Sequence, residues 1–107
     1  MPVLAWITFL AAAVLEVAGD AVIRHGLRGR GLLLIGAGML MLAAYGLVVN
    51  LVRWDFARLL GVYIAFFAVV SVLCGRFVLR ETVPVSTWIG LLLIVAGGLV
   101  IQSGSSR

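Results

Sequence analysis

The sequence predicts an all-α membrane protein whose four transmembrane helices run up and down across a bilayer. Three observations carry this expectation. Of 107 residues, 64% are hydrophobic and only 11% charged, far from the mix of a water-soluble domain. The apolar residues gather into four runs, each near the roughly 20 residues that one crossing requires. The eight arginines, unaccompanied by any lysine, give a formal net charge of +4. They stand between the runs, where long stems let guanidinium groups reach the headgroups.

The first run covers 3–23. Its start, "MPVLAW", lacks the positive n-region of a cleaved leader, and the run exceeds the usual h-region, so it reads as a permanent span. The second covers 31–52 and the third 56–79. The third is cleanest between Arg58 and Arg76, about 27 Å apart on a helix, which is close to one hydrocarbon thickness. The fourth covers 85–102, with Pro84 and Ser86 forming a plausible entrance: proline is tolerated in a first turn and serine can cap free N–H groups. Connections are short, "RHGLRGR", "RWD" and "RETVP", so consecutive spans must be neighbours within one four-helix domain over 1–107. Trp6, Trp54 and Trp88 fall near span ends, as interfacial residues do.

"GLLLIGAG" at 31–38 and "GLLLIVAG" at 90–97 agree at seven of eight places. The likeness fits either a duplicated helix pair or convergence of leucine-rich, small-residue membrane sequence. Orientation follows weakly from the arginines. Termini on the cytoplasmic side leave Arg53, Arg58 and Arg107 inside against Arg24, Arg28, Arg30, Arg76 and Arg80 outside. The positive-inside rule therefore leans towards external termini, with dual insertion open.

Several chemistries are excluded as expectations. One cysteine, Cys74, and one histidine, His25, supply neither an internal disulfide nor a metal-ligand cluster. The basic residues are not gathered on one face with groove-reading elements, so nucleic acid is not expected as a partner. There is no nucleophile–base arrangement and no phosphate-cradling loop, so neither an enzyme nor a cofactor is expected.

The acidic residues are more informative, because two of only four, Glu16 and Asp20, lie in the first span. Glu16, Asp20 and Arg24 are spaced by four and form one stripe along a helix. An ionisable side chain at membrane depth costs a few kcal/mol even on insertion scales (roughly 3) and normally faces a bundle interior or an aqueous cavity. One reading is structural, with Asp20 paired to Arg24 and Glu16 neutral or bonded to a neighbouring helix. The other is functional: desolvation favours a neutral carboxyl, so Glu16 can hold either a proton or a cation, and mutual exclusion at one site couples two fluxes.

On the fourth span, Gly90, Gly97 and Gly98 place small residues a heptad apart, where two backbones can approach. Tyr45 and Asn50 lie in the second span. "GVYIAFF" in the third carries Tyr63, Phe66 and Phe67. Tyr63 and Phe67 are four apart and could line a cavity beside Glu16, where aromatic faces suit organic cations, or they could simply pack. Asn50 reads as a cap or interfacial group, and Arg53, Asp55 and Arg58 as a solvated loop cluster.

"LEVAGDAVIR" and "GLLLIVAGG" resemble the glutamate run of helix one and the helix-four dimerisation motif of the small multidrug resistance family, within the drug/metabolite transporter superfamily. The resemblance in architecture covers nearly the whole chain. It implies an antiparallel homodimer in which both copies of Glu16 face a shared chamber and exchange protons for substrate by alternating access. The chain departs from that family at "LLGVYIAFF", which has no tryptophan, at Asp20, and in its arginine-rich first loop. "GVY" is similar to a related family of small bacterial inner-membrane proteins, so the chain reads as an atypical or sister member.

The expected function is therefore proton-coupled export of small cationic or amphipathic compounds from the inner membrane of a bacterium. Glu16, Asp20, Tyr63 and Tyr45 are the candidate proton and substrate site, and Gly90, Gly97 and Gly98 the dimer seam. The partners implied are a second copy of the chain, protons, an organic cation and lipid. The alternatives are a non-transporting accessory or scaffold subunit and a small cation channel.

Overall fold

A computed structural model describes residues 2–104. Arg107 and the side chain of Arg30, both part of the arginine count above, lie outside the described residues. Among the described residues the chain forms four long helices, α1 (Pro2–His25), α2 (Leu32–Val49), α3 (Phe56–Leu73) and α4 (Val85–Gly104), with wider helical turns at Gly26–Arg30 and Cys74–Val78, and all four are long and apolar enough to cross a membrane. They form two compact units, Met1–Val52 and Arg53–Arg107, each a helical hairpin.

In the first hairpin the buried face of α1 is a stripe flanked by Ala13 and Val17, which are buried as well. Ala5, Phe9, Ala12, Glu16, Gly19, Ile23 and Gly26 recur at alternating intervals of four and three, the period that keeps one helix face on its neighbour. Five of these are buried, while Glu16 and Ile23 are half-buried. Close contact comes from missing side chains: a Cβ placed on Gly19 would lie 3.1 Å from the Gly38 carbonyl oxygen, and one on Gly38 would lie 2.7 Å from that of Gly19. Small residues of this kind let two backbones approach where lipid supplies no hydrophobic drive for helix pairing.

The hairpin reverses through a wide turn at Gly26–Arg30; Gly29 within it and Gly31 just after it take φ of 112° and 103°, values that glycine adopts without strain. At its far end α2 stops at Val49, short of the expected 52. The Asn50 side chain donates from Nδ2 to the Gly46 carbonyl at 2.8 Å, capping the last turn as expected.

The second hairpin pairs α3 with α4. Gly61 faces Ile101, and a Cβ on Gly98 would meet that of Ala65 at 2.9 Å. Arg58, expected in a solvated cluster with Arg53 and Asp55, is instead half-buried. Its guanidinium lies 3.6 Å from the Trp54 ring centroid and donates from Nη2 to Gln102 Oε1 at 3.2 Å. A planar cation can stack and hydrogen-bond at once, and that draws Arg58 out of solvent while Arg53 and Asp55 stay exposed. α4 starts at Val85, with Pro84 supplying the carbonyl that accepts from the Thr87 and Trp88 N–H groups. Ser86 therefore sits inside the first turn and not at the cap.

The internal similarity does not correspond to equivalent packing. Gly38 is buried on α1, whereas its counterpart Gly97 has nothing within 4 Å and its neighbour Gly98 makes the contact. Gly31 precedes its helix while Gly90 lies inside α4. Seven matching residues serve two different registers, as convergence would leave them.

Candidate functional site

The register of the first hairpin determines what Glu16 meets. Close approaches run Gly26 to Ile35, Gly38 to Ile23 and Gly19 to Leu42, so each step back along α1 is matched by an equal step forward along α2. One further step brings Glu16 level with Tyr45. The two interact electrostatically, and both are half-buried. The carboxyl is thus on the helix-packing face of α1, at the level of a phenol that can donate a hydrogen bond or receive one.

Asp20 and Arg24, one and two turns along from Glu16, are both exposed. The acidic stripe therefore runs from a half-buried carboxyl to an exposed one and ends in a cation and His25 at the helix terminus. An ion pair between side chains as exposed as Asp20 and Arg24 contributes little to stability. Tyr63 is 3% exposed within the second hairpin, and Phe67 is half-buried beside it on α3.

The three glycines of α4 divide. Gly98 is occupied inside its own hairpin by Ala65, while Gly90 and Gly97 have no atom within 4 Å of a built Cβ. They open onto a helix of which only 6% is buried, against 28% for the first span. Sequence reasoning missed the Gly19–Gly38 contact. The signal was present, because in an antiparallel hairpin, residues equally distant from the turn face each other.

These features define a polytopic membrane protein built from two helical hairpins, with one carboxylate held on an inter-helix face. The particular group follows from comparison: residues 3–107 match the family described as "Uncharacterised BCR, YnfA/UPF0060 family", and the chain belongs to it. It is also similar to a UPF0060 membrane protein of Saccharopolyspora erythraea, with 36% identity over 100 residues that cover 90% of this chain and 89% of the relative. No solved structure matches. The four membrane-crossing helices expected from the sequence are present, and the family that matches is YnfA/UPF0060.

Proposed function

We propose that this chain is a proton-coupled exporter of small cationic or amphipathic compounds, acting as a homodimer in the inner membrane of a bacterium, and a sister to the small multidrug resistance transporters. The observation that carries the reading is Glu16, a carboxyl within an apolar span that sits on a packed helix face beside Tyr45 and not among the outward-facing residues. At that depth a charge is tolerated only with a partner or water, so proton and organic cation compete for the same oxygen atoms. Asp20 and Arg24 continue the stripe to the helix end and form the route by which either reaches Glu16. Four helices enclose a pathway poorly, so a second copy completes the chamber. The open faces of Gly90 and Gly97 are where it docks.

The test is reconstitution into liposomes under a pH gradient with a panel of primary, quaternary and aromatic ammonium ions. Cation entry coupled to proton release, abolished by Glu16→Gln, is the expected result. Cation flux that follows its own gradient and moves no protons makes the protein a channel. Absence of flux, together with full tolerance of Glu16→Gln in cells, makes it an accessory subunit.

A further inference from the structure

The turn joining α3 to α4 forms an open pocket of about 230 Å³, in which Glu81, Thr82, Pro84 and Thr87 are exposed and Gly75 is buried. It lies wholly within the second hairpin and includes none of the residues assigned above to proton or cargo. Its polar side chains are Ser71, Glu81, Thr82 and Thr87, one carboxylate and three hydroxyls, and no basic side chain is among the lining residues. Val72, Val83 and Pro84 supply an apolar wall.

Gly75 explains how the carboxylate reaches this space. A Cβ built at position 75 would lie 2.8 Å from Glu81 Oε1, so the acid rests against Gly75, just past the end of α3, and a methyl there would push the carboxylate aside. The Glu81 backbone N–H donates to the Gly75 carbonyl at 2.9 Å and anchors the residue there. Arg80, with φ of 58°, turns the chain back to make that bond. Arg76, the basic residue next to Gly75, places its guanidinium 5.2 Å from the Phe77 ring centroid, and neither arginine lines the pocket.

A single negative charge in a pocket that three hydroxyl residues also line selects a cation, and hydroxyls together with a carboxylate accept N–H donors well. The apolar wall offers nothing to a bare metal ion, which wants a closed shell of oxygen ligands. The volume also exceeds what one ion needs, since a single water occupies about 30 Å³ of the liquid. We propose that this pocket binds a small alkylammonium ion, with its N–H groups on Glu81 and the hydroxyls and its alkyl part on Val72, Val83 and Pro84. The inference stands apart from the role given to Glu16.

The experiment is calorimetric titration of the purified full-length protein in detergent with n-propylammonium chloride. Tetramethylammonium, which has no N–H, and sodium serve as comparators. Saturable binding of propylammonium is expected, weakened at least tenfold by Glu81→Gln and at least threefold by Gly75→Ala, which keeps the carboxylate but displaces it. Thr87→Val gives a second, charge-neutral reading of the same site, with a loss of at least threefold. The titrations are run on Glu16→Gln as well as the wild type, so that binding at Glu16 is subtracted; saturable propylammonium binding should persist in Glu16→Gln and be lost when Glu81→Gln is added to it. Binding unaltered by Glu81→Gln, tetramethylammonium bound as tightly, no saturable binding to the wild type, or binding lost only in Glu16→Gln would each overturn the proposal.

Discussion

Replacing Gly38 by alanine, with Gly36→Ala as the control two residues away, separates close helix packing from helix propensity. A Cβ at Gly38 would lie 2.7 Å from the Gly19 carbonyl oxygen and 3.0 Å from the Ile23 backbone nitrogen, and would press on Ile23 Cγ1 as well. Two of these three atoms are backbone and cannot rotate away. Restoring ordinary contact requires α1 and α2 to part by about 0.7 Å, a gap that forfeits a quarter to a half of each pair's dispersion attraction. At Gly36 the same methyl meets nothing within 4 Å. Both substitutions exchange glycine for alanine inside α2, which alone favours the helix by about 1 kcal/mol and cancels between them. What remains is the overpacking, so Gly38→Ala should be less stable than Gly36→Ala by about 1–3 kcal/mol. Reversible unfolding in mixed micelles titrated with SDS, followed by circular dichroism, measures that difference. Equal stability of the two variants would refute the close seam, and with it the register that brings Glu16 level with Tyr45.

Other consequences are tested separately. Tyr45→Phe removes the hydroxyl of the residue level with Glu16 and should move the pH midpoint of proton-coupled flux in liposomes; an unmoved midpoint would detach Tyr45 from the site. Arg58→Lys keeps the charge but loses the planar stack on Trp54 and the fork that reaches Gln102. Its expected loss is about 1–2 kcal/mol of stability in the same micelle titration, and a lysine variant of wild-type stability would show that the stack contributes nothing. Arg80→Gly relieves a left-handed backbone at a non-glycine residue and should stabilise the protein by about 1 kcal/mol, seen as a raised unfolding midpoint; a lowered midpoint would mean that the arginine side chain outweighs the strain.

The spans were legible because the bilayer imposes a length and apolar runs cannot hide. Glu16 stood out for the same reason, since an acid in such a run has few places to face. Its partner was harder to read. The sequence names Tyr45 and Tyr63 alike as site candidates, but only the register of two antiparallel helices brings Tyr45 level with Glu16. That register depends on Gly19 and Gly38, and a glycine in a membrane helix looks the same whether it is packed or open. Gly97 and Gly98 show how little the letters say: adjacent in the chain, one faces nothing within 4 Å and the other touches Ala65. Arg58 was misplaced among solvated residues because stacking on Trp54, four positions earlier, needs the loop to fold back onto the helix, which no linear pattern encodes.

The exchange of proton for cargo at Glu16 is tested most directly by counting protons released when an ammonium cargo from the transport panel binds to detergent-solubilised protein. Titrations repeated in buffers of different ionisation enthalpy supply that count. Release that varies with pH and vanishes in Glu16→Gln is predicted. Cargo binding with no proton released at any pH, or with undiminished release in Glu16→Gln, would contradict it.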